Sequence, residues 1–343
     1  MDFNPNALGL DNGNLYGLPS TFKDAEVIVF PVPWDVTVSY GDGTSQAPDL
    51  IREESLQVDL YDLEYGNFWE KGIFYLKSSP IFLEKCAKNR QYAVEAIKLQ
   101  EKGRTVADSF TLKSNTEQVN QACEEMVDWV YKECGKVLSE DKKLVLLGGD
   151  HSTPLGYLKA LGDKYKDFGI LQIDAHCDLR EAYEGFTYSH ASIMYNALKL
   201  DYVKSLTQVG IRDFCEDEKD FAKKSKKKVN IFFDRDMSYQ MIEGKTWKSI
   251  CDEIVKTLPK NIYISFDIDG LDPKLCPNTG TPVMSGLETE QVFYLLRRII
   301  QTGRKLIGFD LVEVGVSQNE WDENVGARIL YKLCNLMLAS NPA

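Results

Sequence analysis

The residues best suited to chemistry lie where three apolar segments end. The chain contains only three histidines among 343 residues, and they are His151, His176 and His190. The apolar runs LVLLGGDHS (144–152) and GILQIDAHCD (169–178) each end in a histidine flanked by carboxylates, and IYISFDIDG (262–270) ends in two aspartates. A strand buries its apolar body and presents its last residues at one edge of the sheet. Three such ends together predict a metal site.

The spacing of these side chains allows six of them to converge. Residues two apart in an extended segment point the same way, so the D-x-H-x-D motif at 174–178 places three side chains on one side. The D-x-D motif at 267–269 does the same on its own strand, and a histidine follows the flexible Gly148–Gly149 pair. The candidate metal ligands are His151, Asp174, His176, Asp178, Asp267 and Asp269.

This donor set indicates which cation it would hold. Carboxylates and imidazoles without a thiolate suit hard to borderline divalent ions, so Mn²⁺ is the preferred ion and Ni²⁺ is also compatible. One ion takes about six ligands and usually keeps some as water, whereas aspartates can bridge, so two ions fit six protein ligands better. Without cations the crowded carboxylates would repel one another, which argues against an empty acidic pocket.

Short apolar runs alternate with helical patterns, which predicts an α/β fold, a three-layer αβα sandwich with a mostly parallel central sheet. The predicted strands are 25–34, 143–147, 168–173, 205–210, 229–233, 261–266 and 305–312. The predicted helices are 45–55, 81–102, 118–138, 153–163, 190–199, 215–227, 245–257, 288–302 and 323–339. With no repeat or linker, residues 1–343 are expected to form a single domain with an insertion at about 60–118.

Composition narrows the classes of partner. The formal net charge of −12 argues against a nucleic acid or an anionic membrane and suits a small cationic substrate. The basic run at 223–228 follows an acidic run at 216–220, so we interpret it as a solvated helix end. The eight cysteines form no C-x-x-C pair, and no apolar run approaches the length of a membrane span. A reduced, cytoplasmic enzyme is expected.

The three motifs GGDHS, DAHCD and SFDIDGLDP resemble, without a gap, the metal motifs of the ureohydrolase (arginase/agmatinase) family of binuclear manganese enzymes. The resemblance covers about residues 140–340, and PVPWDVTVSYGDGTSQAPDLIREES resembles the family's N-terminal segment. It implies one ion held by His151, Asp174, Asp178 and Asp267, and a second held by His176, Asp174, Asp267 and Asp269. Asp174 and Asp267 would then bridge, while Asp150 and Asp272 would support ligand geometry or turns.

Three further residues match the family. His190 is placed like its proton-transfer histidine, Glu313 resembles the carboxylate that pairs with the substrate guanidinium, and Thr281 resembles a residue lining the guanidinium pocket. The structural alternatives are that His190 lies in a surface loop, that Glu313 forms a salt bridge between structural elements and that Thr281 is a plain turn residue. The resemblance implies a shared water activated by two cations, a guanidinium oriented by Glu313, and a leaving amine protonated by Asp178 while His190 exchanges protons with solvent. The products would be urea and an amine.

The loop LREAYEGFTYSH after Asp178 indicates which guanidino compound is cleaved. It resembles prokaryotic agmatinase-like members and lacks the Asn- and Ser-bearing loop with which arginases hold an α-carboxylate, so agmatine is the leading substrate. Arg180 could meet a carboxylate or pair with Glu181 or Glu184. The aromatic residues that could line the entrance, or pack the loop, are Trp34, Tyr40, Tyr183, Phe186 and Tyr188.

Other activities stay open at this point. Asp42 and Ala47 stand where many relatives have Arg and Gly, and the 60–118 segment is longer than in typical agmatinases. Guanidine hydrolase and guanidino-acid hydrolase are therefore alternatives, and arginase is less favoured. A non-catalytic binding module would be favoured by a lost ligand, and none is lost. A single-zinc deacetylase would need paired histidines that this chain lacks. Relatives are commonly trimers or hexamers, so a homo-oligomer is expected by analogy.

Overall fold

The computed structural model describes residues 3–341, and its central feature is one eight-stranded sheet. The strands are β1 (Val27–Val32), β2 (Ile73–Tyr75), β3 (Lys143–Gly148), β4 (Phe168–Ile173), β5 (Val203–Ile211), β6 (Val229–Phe233), β7 (Asn261–Asp267) and β8 (Lys305–Val312). Their order is β2-β1-β3-β8-β7-β4-β5-β6, and every neighbouring pair is parallel. All carboxyl ends therefore meet at one edge.

Helices cover both faces of this sheet. They are α1 (Ala47–Glu54), α2 (Pro80–Glu101), α3 (Phe110–Ser139), α4 (Leu155–Lys164), α5 (Ile193–Ala197), α6 (Glu216–Lys224), α7 (Asp234–Ile242), α8 (Trp247–Lys256), α9 (Thr289–Gln301) and α10 (Trp321–Ser340). One core contains buried side chains of α1 and α7 to α10, and the other contains those of α2 to α6. The predicted αβα sandwich is confirmed, and the sheet is parallel throughout.

Strand β3 illustrates why these segments read as continuous apolar runs. Leu144 and Leu146 pack into one core, whereas Val145 and Leu147 pack into the other. Successive side chains of a strand point to opposite faces, so a strand covered on both sides is mostly apolar, and any polar residue in it needs a buried partner. The polar residues of β3 can therefore begin only where the strand leaves the layers, which is the carboxyl edge of the sheet.

The 60–118 segment belongs to the same layers as its neighbours. It supplies β2, which pairs with β1 at the edge of the sheet, and α2, whose Phe82, Ala93 and Ile97 lie in the core shared with α3. Strand β2 has three residues, too short to predict from its pattern. Helix α3 begins eight residues before its predicted start. Among residues 3–341 no helix is long and apolar enough to cross a membrane.

Candidate metal centre

His151 lies among three carboxylates at the carboxyl edge of the sheet. Its Nδ1 is 3.0 Å from an oxygen of Asp174, 3.0 Å from one of Asp178 and 3.2 Å from one of Asp267. All four side chains are buried. A ring N–H can donate well to one acceptor, and within residues 3–341 this Nδ1 makes no hydrogen bond of acceptable geometry. Such a convergence is typical of ligand atoms arranged around a shared cation.

A second group lies beside the first. His176 Nδ1 is 3.0 Å from Oδ2 of Asp269 and 3.7 Å from Oδ1 of Asp174, whose other oxygen faces His151. Two sets of three ligand atoms, each within 4.8 Å of one another, are therefore present: His151, Asp174 and Asp267, and Asp174, His176 and Asp269. The structure brings all six predicted ligands together, and Asp174 belongs to both groups.

Backbone amides hold these aspartates in place. Asp174 accepts the N–H of His176 at 2.6 Å, Asp269 accepts that of Ala175 at 3.0 Å, and Asp267 accepts that of Asp269 at 2.9 Å. The ends of β4 and β7 lie so close that a Cβ on Gly270 would meet the backbone nitrogen of Asp174 at 2.5 Å. Glycine at position 270 therefore lets the two motifs approach each other.

A buried chain of hydrogen bonds orients the His151 ring. Its Nε2 lies 2.8 Å from Ser265 Oγ, which donates to Asp310 Oδ2 at 2.9 Å, and the other oxygen of Asp310 accepts the N–H of Phe266. With Nε2 donating to the serine, the lone pair of Nδ1 is directed at the carboxylates. Ser265 and Asp310 are not among the residues predicted from the sequence. The sequence does contain a signal for them, because Asp310 is a carboxylate inside the apolar run of β8 and therefore needs a buried hydrogen-bond partner.

Burial and mutual repulsion shift the pKa values of the cluster. Burial, with the charge of Asp174, raises the pKa of Asp178 to about 7. Burial and the charge of Asp269 raise the pKa of Asp267 well above its usual range. Burial opposes a charge on His176, yet Asp269 and Asp174 outweigh it and raise its pKa to about 12. The buried carboxylates therefore require positive charge close by. Protons on the histidines supply part of this charge, and divalent cations would supply more.

Glu313, Thr281 and His190 line one cavity of about 170 Å³ together with His151, His176, Asp178, Asp267 and Asp269. Glu313 follows β8 with a φ of 59°, and its Oε1 accepts the N–H of His151 at 2.8 Å. Asp178 also has a positive φ, of 53°. Left-handed backbone at non-glycine residues costs about 1 kcal/mol or more each and tends to occur at functional sites. Burial raises the pKa of Glu313 well above its usual range.

His190 begins a short 3₁₀ turn before α5. Its N–H donates to Thr37 Oγ1 at 3.1 Å, and that hydroxyl donates to Asp150 Oδ2 at 3.2 Å. Burial, together with positive His176 and His151, lowers the pKa of the His190 ring to about 3. The imidazole is therefore neutral at neutral pH. The Thr281 hydroxyl lies 3.5 Å from Asp269 Oδ2.

Several other predicted residues have structural roles. Asp150 accepts the N–H and hydroxyl of Ser152, and Asp272 accepts the N–H of Lys274, so both carboxylates stabilise turns. Trp34 and Phe186 are fully buried and are not among the residues that line the cavity.

Tyr183 lines the cavity, Tyr188 is half-buried and Tyr40 is exposed. The guanidinium of Arg180 lies 4.7 Å from the Tyr183 ring centroid, and its Nε lies 3.8 Å from Glu218. The partner of Arg180 is thus Glu218 rather than Glu181 or Glu184, and Glu218 was missed in the sequence.

Comparisons with known proteins agree with this geometry. Residues 25–335 match the Arginase family model. The N(1)-aminopropylagmatine ureohydrolase of Thermus thermophilus is 30% identical over 316 residues, which cover 92% of this chain and 91% of that protein. The agmatinase of Halalkalibacterium halodurans is 27% identical over 86% of each chain. The crystal structure of the agmatine ureohydrolase of Thermoplasma volcanium superposes with a TM-score of 0.68 at 26% identity, covering 94% of this chain and 92% of that one.

Proposed function

Because the chain belongs to the arginase family, it is a ureohydrolase that hydrolyses a C–N bond of a guanidino compound, and we propose that its substrate is agmatine. The products would be urea and putrescine. The observation that best supports this function is the pair of donor groups that share Asp174, beside a cavity that Glu313 and His190 also line. A structural cluster of buried charges would not need a cavity beside it.

The cofactor we propose is a pair of Mn²⁺ ions, with Ni²⁺ as the compatible alternative. His151, Asp174, Asp178 and Asp267 would hold one ion, and His176, Asp174, Asp267 and Asp269 the other. An oxygen-rich set with two imidazoles and no thiolate supports this choice. When bound, such ions supply a water acidic enough to provide hydroxide near neutral pH.

The chain's own residues would do the rest of the chemistry. A guanidinium is a planar fork of N–H donors, which the Glu313 carboxylate can accept. Fixing the guanidinium in the cavity turns a chance encounter into an oriented attack. The collapse of the tetrahedral carbon needs a proton on the leaving nitrogen. Asp178 lines the same cavity, and its carboxyl, whose pKa burial raises to about 7 in the metal-free protein, would hold and deliver that proton. His190 lines the cavity wall, and its neutral ring would relay a proton by accepting one at one nitrogen while releasing one from the other.

The choice of agmatine is supported by the cavity wall and by the relatives. An amino-acid substrate would need a donor for its carboxylate, and the Arg180 guanidinium lies over the Tyr183 ring with its Nε 3.8 Å from Glu218, an acidic neighbour that would repel such a carboxylate. Curated relatives include agmatinases. N(1)-aminopropylagmatine is a second candidate, because the relative at 30% identity is named for it. We also propose a single domain with an insertion at about 60–118, a homo-oligomer, trimeric or hexameric, and a cytoplasmic location.

The test is a urea-release assay on manganese-loaded protein. The parallel substrates are agmatine, N(1)-aminopropylagmatine, guanidine, arginine, guanidinobutyrate and guanidinopropionate. We expect the highest kcat/KM for agmatine or its aminopropyl derivative and about two metal ions per chain. The highest kcat/KM for arginine or a guanidino acid would refute the substrate, and full activity after thorough chelation would refute the metal centre.

A further inference from the structure

Asp322, the second residue of α10, is a buried carboxylate that the proposed chemistry does not use. Its Oδ2 accepts the backbone N–H of Asn278 at 2.8 Å and the thiol of Cys276 at 2.9 Å. Its Oδ1 accepts the side-chain amide of Asn278 at 2.9 Å. Hydrogen bonds to a carboxylate are stronger than those between neutral groups. Asp322 therefore fixes the loop of residues 276–281 against the first turn of α10.

This loop contacts Glu313 directly. The hydroxyl of Thr279, a buried side chain, donates to the main-chain carbonyl of Glu313 at 2.7 Å. A Cβ added to Gly280 would lie 3.5 Å from Glu313 Oε2, so the backbone of the loop also passes beside the carboxylate. The loop therefore touches both the main chain and the side chain of the residue proposed to bind the guanidinium.

The backbone conformation of Glu313 explains why it needs such a contact. Its φ of 59° is left-handed, and a non-glycine residue keeps this conformation only where its surroundings hold it. Its N–H donates to the carbonyl of Gly149 at 2.8 Å, and its own carbonyl accepts the Thr279 hydroxyl. Because backbone conformation sets the direction in which a side chain leaves the chain, loss of the Thr279 bond would let the carboxylate turn away from the substrate.

We propose that Thr279 and Asp322 are positioning residues that direct the Glu313 carboxylate into the cavity. Asp322 fixes the loop, and Thr279 transmits the position of the loop to Glu313. These roles rest on the proposed function, in which Glu313 binds the substrate guanidinium. Neither residue lines the cavity or belongs to the six candidate ligands, so both act through Glu313. A displacement of about 1 Å in a substrate-orienting group can cost roughly 100-fold in rate.

The main variant is Thr279→Val, which removes the hydroxyl and keeps the shape of the side chain. Manganese-loaded proteins are assayed for urea release with the guanidino compound for which wild type has its highest kcat/KM. We expect kcat/KM to fall about five- to tenfold, less than in Glu313→Gln, because the carboxylate is displaced but not removed. The metal content should stay at the wild-type level.

Two matched variants accompany it. Thr279→Ser keeps the donor, so its kcat/KM should stay within about twofold of wild type. Thr302→Val removes a hydroxyl that also donates to a main-chain carbonyl, at 2.6 Å, but this hydroxyl lies just after α9 and outside the cavity lining. This control should leave kcat/KM unchanged.

A double-mutant cycle tests whether Thr279 acts through Glu313. In Glu313→Gln the charge that Thr279 positions is absent, so adding Thr279→Val should lower kcat/KM by less than about twofold. A general effect on the structure would instead produce the same factor in both backgrounds.

Asp322→Ala frees the loop and should reproduce the loss seen in Thr279→Val. The combined variant should lose little more than either single variant, because both act along one path. If Asp322→Ala is not soluble, Asn278→Ala takes its place. It deletes one of the three hydrogen bonds to Asp322 and should lower kcat/KM about two- to threefold.

Wild-type kcat/KM in Thr279→Val would overturn the proposal, as would an equal loss in the Glu313→Gln background. Equal impairment of Thr279→Ser and Thr279→Val would also overturn it, as would loss of manganese in Thr279→Val, because the residue would then act through the metal centre. Wild-type kcat/KM in Asp322→Ala, or in its substitute, would overturn the role of Asp322. Failure of the proposed function has a different signature: metal-loaded wild type then releases no urea from any of the guanidino compounds.

Discussion

Replacing Ser265 with alanine should weaken metal binding without removing any predicted ligand. The serine hydroxyl lies 2.8 Å from His151 Nε2 and donates to Asp310 at 2.9 Å. In Ser265→Ala, Nε2 loses the group that keeps its proton there, so the Nδ1 lone pair is no longer guaranteed to face the carboxylates. Outer hydrogen-bond partners of ligating histidines are worth about 10- to 100-fold in metal affinity. This corresponds to roughly 1.4–2.7 kcal/mol.

The same substitution also affects stability. Two hydrogen bonds disappear, and a buried carboxylate loses one of its donors. At about 1 kcal/mol for each bond, the metal-free protein should lose roughly 2 kcal/mol of unfolding free energy. Burial raises the pKa of Asp310 to about 6, so protonation of this carboxyl can offset part of the loss at neutral pH.

The assay is competition for Mn²⁺ against a fluorescent chelator, with urea denaturation of the metal-free protein measured in parallel. Ser205→Ala is the matched control, because this strand serine makes no side-chain hydrogen bond within residues 3–341. A Ser265→Ala protein with wild-type Mn²⁺ affinity would refute the orienting role of the chain from His151 to Asp310. If Ser265→Ala loses stability but keeps its Mn²⁺ affinity, these hydrogen bonds contribute to folding only.

Four other substitutions test the metal centre and the fold around it. Asp174→Ala or Asp267→Ala should bring urea release below detection and lower bound manganese from about two ions to at most one per chain; near-normal turnover in either would refute the bridging assignment. Glu313→Gln should lower kcat/KM roughly 10- to 100-fold, the value of a charge-assisted hydrogen bond, with metal content unchanged; loss of metal would instead make this residue structural. Burial opposes the charge of Asp62, but Lys332 and backbone N–H groups outweigh it and lower its pKa below 3.8. Its contribution is therefore full above that value and lost as the pH falls through the lower folded pKa. Asp62→Asn should cost about 1 kcal/mol of unfolding free energy at pH 7 after solvent screening, and the difference should shrink as the pH falls below 3.8; a difference that stays constant from pH 7 into this acidic range would refute the linkage.

The sequence predicted the elements whose patterns are set by burial on both sides. Runs such as 144–148 and 169–173 are almost entirely apolar because both faces of the sheet are covered, and their polar ends mark the carboxyl edge. The D-x-H-x-D and D-x-D spacings, with His151 after the Gly148–Gly149 pair, then placed six donors at that edge, and the structure brings all six together. Strand β2 could not be predicted, because three residues carry too little periodicity and its pairing with β1 is non-local.

Partnerships between distant residues were the other part that the sequence left open. Nothing local joins Ser265 to Asp310, because their contact depends on the register of β7 against β8. From the sequence, Arg180 could pair with Glu181 or Glu184, which are its nearest acidic neighbours along the loop. The fold instead places Glu218 beside it, because α6 begins next to the loop after β4. Neighbours along the chain are thus a poor guide to ion pairs at the carboxyl edge of a sheet.

The order of the strands has a consequence for how the protein folds. Strands β3, β7 and β4 deliver the six candidate ligands, and β8, which lies between β3 and β7, supplies Asp310 and Glu313 beside them; β3 and β8 are adjacent in the sheet and far apart in the chain. Non-local parallel pairing is slow, because loop closure costs entropy before any contact repays it. High-affinity cation uptake should therefore await the arrival of the last of these strands. The time course of manganese binding during refolding would then measure how fast the four central strands assemble.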